Sequence, residues 1–139
     1  MKIAIIGPGI MQIPPIGWGA VEILIWDYKQ TLEKLGHTVL IINTKNVNEI
    51  INTCNNFNPD FVHIQYDEFW ELCDRFNCKN VAITSHYGYI TQKHKHGDYS
   101  KIFNGFLSKK VKLFALSPEI ATFYKQHNYP ENKIFVIPN

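Results

Sequence analysis

Residues 1–43 read MKIAIIGPGIMQIPPIGWGAVEILIWDYKQTLEKLGHTVLIIN, and they contain one complete strand–helix–strand unit. Lys2 to Gly7 is a continuous apolar run, as expected of a strand buried on both faces. After a long Gly/Pro loop, Val21, Leu24, Ile25, Tyr28, Leu32 and Leu35 trace one helical stripe. Gly36 stands where a left-handed residue would close that helix. His37 to Asn43 is a second buried strand. Two consecutive strands of this kind joined by a helix make a βαβ crossover and a parallel pair.

The same alternation continues outward. Val47, Ile50, Ile51 and Cys54 mark a second helix, and Phe61 to Gln65 a third strand. A short aromatic helix is expected over Glu68 to Phe76, then a strand over Asn80 to Ser85. Asp98 could cap a helix carrying Tyr99, Ile102, Phe103, Phe106 and Leu107. A fifth strand spans Val111 to Leu116, Ser117–Pro118 opens another helix by its cap-then-proline pattern, and Lys133 to Ile137 is a sixth strand. The pattern predicts an α/β fold, a doubly wound parallel sheet of about six strands in a single domain over residues 1–139.

Composition agrees with one folded domain. The chain has 139 residues, 45% hydrophobic and only 19% charged, which excludes a disordered reading. No apolar run approaches the about 20 residues that span a bilayer, and the first breaks at Gly7–Pro8, too early for a secretory signal. The net charge is +2, and Arg75 is the one arginine beside the lysines. Bidentate recognition of phosphate and bases favours arginine, so no nucleic-acid partner is expected. Cys54, Cys73 and Cys78 lack metal or redox spacing and are expected as reduced, partly buried thiols in a cytoplasmic protein.

In such a sheet ligands bind outside the carboxyl ends of the strands, which directs attention to loops 8–17, 44–46, 66–67, 85–97 and 117–118. The first loop is longer than the usual 2–6 residues and brings Gly17–Trp18–Gly19 to the start of the first helix. Small residues there would let a phosphate approach the backbone N–H groups; the plainer reading is a rigid surface loop with glycine caps. Gly7-Pro8-Gly9 begins like a dinucleotide fingerprint. However, Gln12 occupies the third glycine position and the second strand ends in Asn43, not an acid, so that signal fails.

His86 sits just past the fourth strand, beside Tyr87 and Gly88, and is expected to touch substrate or to serve as a structural hydrogen-bonding residue. Tyr66, Asp67 and Glu68 follow the third strand. The acids could assist an acceptor hydroxyl or simply begin a solvated helix. His94, His96 and Asp98 have no spacing that fixes a metal geometry, and Lys93 and Lys95 would repel a cation, so no metal site is assigned. Ser117 and Glu119 read as a cap and a first-turn acid, and no Ser/His/Asp set is evident.

The order of these segments resembles the amino-terminal part of retaining glycosyltransferases of family 4. The resemblance rests on Gly7-Pro8, Pro14 to Glu22, Leu35-Gly36-His37-Thr38-Val39, Val62-His63, Thr84-Ser85-His86, Ala115-Leu116-Ser117-Pro118 and Lys133 to Asn139, the last similar to that family's interdomain hinge. It implies the acceptor-side, Rossmann-like half of a GT-B architecture. The implied reaction transfers a sugar from a nucleotide-diphosphate donor to a glycan or other hydroxyl acceptor with retention, usually without a bound metal. Gly17, Trp18 and Gly19 would lie near the donor diphosphate, and His86 near the reacting sugar as the catalytic-site histidine. Tyr66, Asp67, Tyr87 and Gly88 would face the acceptor.

The donor-binding domain of that family has no counterpart in residues 1–139, so the chain alone is expected to be inactive. A carboxyl-terminal domain in cis or a partner subunit would supply the missing half, and no cofactor is expected on this chain itself. The alternative is a non-catalytic glycan- or partner-binding module, or half of a split enzyme. An uncovered apolar face near Trp18, Tyr87, Tyr89 or the last strand would favour a missing partner.

Overall fold

A computed structural model describes residues 1–86 and 100–138. Six strands form one sheet in the order β2-β1-β3-β4-β5-β6, and every neighbouring pair is parallel. They are β1 (Lys2–Ile6), β2 (Thr38–Ile42), β3 (Phe61–Ile64), β4 (Val81–Thr84), β5 (Lys112–Ala115) and β6 (Ile134–Val136). The described helices are α1 (Ala20–Lys34), α2 (Val47–Phe57), α3 (Ser100–Lys109) and α4 (Pro118–Gln126), with 3-10 turns at Asp67–Leu72 and Glu131–Lys133. The expected doubly wound α/β sheet is thus present, Rossmann-like in its all-parallel pairing. No helix among the described residues is long and apolar enough to cross a membrane.

Local chemistry explains the boundaries. Asn46 caps α2 by accepting from the Glu49 N–H at 3.1 Å, and Ser117 caps α4 by accepting from the Ile120 N–H at 3.3 Å. Gly36 takes φ +94°, the left-handed turn expected after α1. Leu35, the C-cap of α1, is 70% exposed, contrary to the sequence pattern. The helix expected over Glu68 to Phe76 is instead the tighter 3-10 turn, interrupted at Phe69 (φ −85°, ψ 15°). Its aromatic residues pack sideways: Gly105 of α3 lies against the Trp70 indole.

The two faces of the sheet are unequal. On one, α2, α3, α4 and the first 3-10 turn enclose a core that includes Ile6, Ile50, Val62, Ile83, Phe106 and Leu113. Phe76 and Phe106 are almost wholly buried there, each contributing roughly 2–3 kcal/mol by removal from water. On the other face, among the described residues, only α1 covers the sheet, packing Val21 and Ile25 on Ile3, Ile5 and Val39. The three cysteines are free thiols, Cys54 and Cys73 buried and Cys78 partly so, and burial pushes the first two up to about 12.

Candidate functional site

All six strands point the same way, so the loops after β1, β3, β4 and β5 emerge along one edge. Gly7 donates its N–H to the Ile42 carbonyl at 2.8 Å, and Gln65 donates to the Ile6 carbonyl at 2.9 Å, so these loops share one root. Asn43 anchors the long first loop. Its side-chain oxygen accepts from the Gly9 N–H at 2.9 Å, and its amide donates to the Met11 carbonyl at 2.7 Å. Gly9 adopts φ +73° there, and a Cβ would fall 2.5 Å from the Thr44 backbone. Asn43 therefore stands where a dinucleotide fold would place an acid, and it serves loop architecture.

The loop delivers Gly17–Trp18–Gly19 to α1 as the sequence predicts. Gly17 has φ +87° with open space around its α-carbon, and Trp18 is 83% exposed. Gly19 is the N-cap of α1 with φ +151°. Among the described residues no side chain is seen to cap the first turn, and Glu22 of that turn is buried, its Oε1 3.1 Å from where a Cβ on Gly19 would lie.

His86 is the end of a buried polar chain. With the Gln65 amide oriented as it stands, His86 Nε2–H donates to Gln65 Oε1 at 2.5 Å, and Gln65 Nε2 donates to His63 Nδ1 at 3.2 Å. His63 Nε2–H then donates to Thr84 Oγ1 at 2.7 Å. One set of tautomers satisfies every link, and it leaves the His86 Nδ1 lone pair as that ring's acceptor. Burial lowers His86 to about 4; burial and then the proximity of His86 lower His63 to about 3. Both rings are therefore neutral near pH 7.

Asp67 is fully buried, which rules out the solvated helix start that its place in the sequence allowed. Its Oδ2 accepts from Ser85 Oγ at 2.8 Å, while Oδ1 is buried without a hydrogen-bond partner among the described residues. Burial raises its carboxyl above the usual range against the opposing Ser85 hydrogen bond. Asp67 thereby holds the residue adjoining His86. Tyr66 is half-buried, edge-on to Phe69 at 5.1 Å. Tyr87 and Gly88 lie outside the described residues, as do Tyr89, His94, His96 and Asp98.

Sequence reasoning singles out His86 but misses Gln65, His63 and Thr84, which orient it. A signal was present. In Phe61-Val62-His63-Ile64-Gln65 the two polar residues alternate with buried apolar ones, so both project from one face of a strand. No family model, curated protein or solved structure matches this chain.

Proposed function

We propose that this chain is the acceptor-side domain of a retaining glycosyltransferase, serving transfer of a sugar from a nucleotide-diphosphate donor to a glycan or other hydroxyl acceptor. The observation that carries the reading is the satisfied chain Thr84–His63–Gln65–His86, which fixes a neutral imidazole at the carboxyl edge of the sheet. Gly17, which has open space around it just before α1, belongs to that same edge. A neutral histidine held this way can accept a hydrogen bond from a sugar hydroxyl without bringing a charge. The dipole of α1 favours negative charge at its first turn, where the Glu22 carboxylate already lies beside Gly19, so a departing diphosphate would meet the turn from the Gly17 side. Trp18 offers an exposed ring face on which a sugar can stack. The rest of the donor would be held by a second domain in cis or by a partner subunit.

The test is a titration of residues 1–139 with oligosaccharides and nucleoside-diphosphate sugars, followed through backbone amide resonances. Oligosaccharides are expected to shift Gly17 to Gly19, Gln65 and Ser85, and His86→Ala is expected to weaken that binding at least tenfold, about 1.4 kcal/mol. Shifts confined to other regions, or none with any sugar, would remove the proposal.

A second reading, a partner-binding module, is favoured by the part of the sheet that no described helix covers. Phe114 stacks on Phe61 at 6.1 Å and meets His63 and Phe135 edge-on at 4.8 and 6.2 Å. With Tyr28, Leu32 and Ile137, the Phe61, His63 and Phe114 rings line a groove of about 230 Å³, continuous with a shallower one of about 700 Å³ over β6 that Phe135 lines. Phe135 is 42% exposed although it lies in a parallel sheet, a structure that is usually covered on both faces. Such a surface calls for a covering polypeptide. Concentration-dependent association in sedimentation, abolished by Phe135→Asp, is the expected result; a strictly monomeric wild type that binds no apolar dye would exclude it.

A further inference from the structure

At the opposite, amino-terminal edge of the sheet, five of the thirteen lysines converge on one pocket of about 190 Å³. Lys79 follows the first 3-10 turn, Lys109 ends α3 and Lys110 follows it, Lys112 begins β5, and Lys133 ends the second 3-10 turn. Asp74 is the one acid in the lining. The Lys112 ammonium turns to Asn80 and the Phe61 ring, which leaves four lysine ammonium groups and one carboxylate, more positive charge than the +2 of the whole chain.

Three of the lysines have protein partners. Lys109 pairs with Asp74 at 2.5 Å and holds that carboxyl below its usual range. Lys79 donates to the Phe76 carbonyl at 3.4 Å, and Lys112 donates to the neutral Asn80 side chain. The side chains of Lys110 and Lys133 make no hydrogen bond or ion pair among the described residues. Lysines at the end of α3 complement the helix dipole, which accounts for Lys109 and Lys110. It does not account for Lys79 and Lys133, which come from separate elements yet border the same space. Like charges gathered this way repel one another unless an anion lies among them.

The chemistry of the lining narrows the ligand. Lysine is a compact point charge suited to phosphate oxygens. No aromatic ring lines the pocket to stack a base, and its volume is below the roughly 300–1,000 Å³ of sites for larger organic ligands. We propose that this pocket binds a small phosphate-bearing polyanion of the pyrophosphate class, held by Lys79, Lys110 and Lys133. The site is separate from the one around His86, because it lies at the other end of the strands.

Calorimetric titration with pyrophosphate at fixed ionic strength tests it. One saturable site is expected, with amide shifts at Lys79, Lys110 and Lys133. The Lys110→Gln/Lys133→Gln double variant should bind at least tenfold more weakly while melting no lower than the wild type, since neither side chain supports a described contact. His86→Ala should leave this affinity unchanged. Flotation with phosphatidylcholine vesicles containing phosphatidic acid identifies the source: lysine-dependent flotation marks a lipid headgroup, and binding of free pyrophosphate alone marks a soluble anion. Absence of saturable binding, undiminished binding in the double variant, or shifts only at Gly17 to Gly19 would overturn the assignment.

Discussion

Acidification from pH 7 to about 4 is expected to cost this chain several kcal/mol of stability, through two buried histidines. His86 is lowered to about 4 and His63 to about 3, both from an ordinary 6.5. Well above pH 6.5 neither ring is protonated in either state, and the stability they contribute is fully present. Below 6.5 the unfolded chain takes up protons that the folded one resists, so stability falls as pH falls toward the folded values. Each tenfold loss of proton affinity on folding corresponds to about 1.4 kcal/mol, so His86 alone accounts for about 3 kcal/mol and His63 for at least as much. A domain stable by about 5–15 kcal/mol would lose much of that margin. Asp67 works the other way, because its raised carboxyl binds a proton more tightly when folded. It reduces the loss but is one group against two. Urea unfolding from pH 8 to 4 measures the slope, and His86→Gln should flatten it by nearly half. An unchanged slope in that variant, or an imidazole of His86 that titrates near 6.5 in the folded protein, would contradict the account.

Gly105→Ala should destabilise the fold by about 2 kcal/mol, although alanine is the better helix former by about 1 kcal/mol. A Cβ at this position would lie 2.4 to 2.7 Å from three indole carbons of Trp70. Real β-carbons do not approach a ring so closely, so α3 must move off the 3-10 turn or the indole must leave its place. Overpacking of this kind costs about 1–3 kcal/mol and more against a rigid ring, which outweighs the propensity gain. The melting temperature should drop by about 6 °C. Trp70→Leu in the same chain should relieve the clash, so that the double variant loses less than the sum of the single ones. A Gly105→Ala protein as stable as the wild type would show that α3 and the turn are looser than their geometry implies.

Much of the fold is legible because its signals are local. Lys2 to Ile6 and Thr38 to Ile42 are continuous apolar runs, and the 3.6-residue spacing from Val21 to Leu32 admits only a helix. Ser117–Pro118 and Gly36 mark boundaries by their own backbone chemistry. The segment from Glu68 to Phe76 departs from expectation because its aromatic residues have helical spacing, whereas packing of Trp70 against Gly105 selects the tighter turn. Leu35 departs because the stripe runs past the last turn of α1 to its C-cap, where the residue is exposed. Of the candidate site, His86 and the glycine entry are evident from their positions after strands. The residues that hold His86 lie 21 and 23 positions earlier, with Thr84 on the neighbouring strand.

The sequence by itself determined the parallel α/β class, the number and order of strands along the chain, and the edge on which ligand-binding loops emerge. These follow from periodicity, from caps and from the right-handed rule for crossovers, all properties of short segments. Only the tertiary structure decided which charges and rings meet. The alignment of β3 with β4 joins His63 to Thr84, and the alignment of β5 with β6 sets Phe114 beside Phe135. The turns between elements gather five lysines at the far edge. Desolvation, hydrogen bonding and charge repulsion act across space, so their outcome rests on register and packing that no single segment encodes.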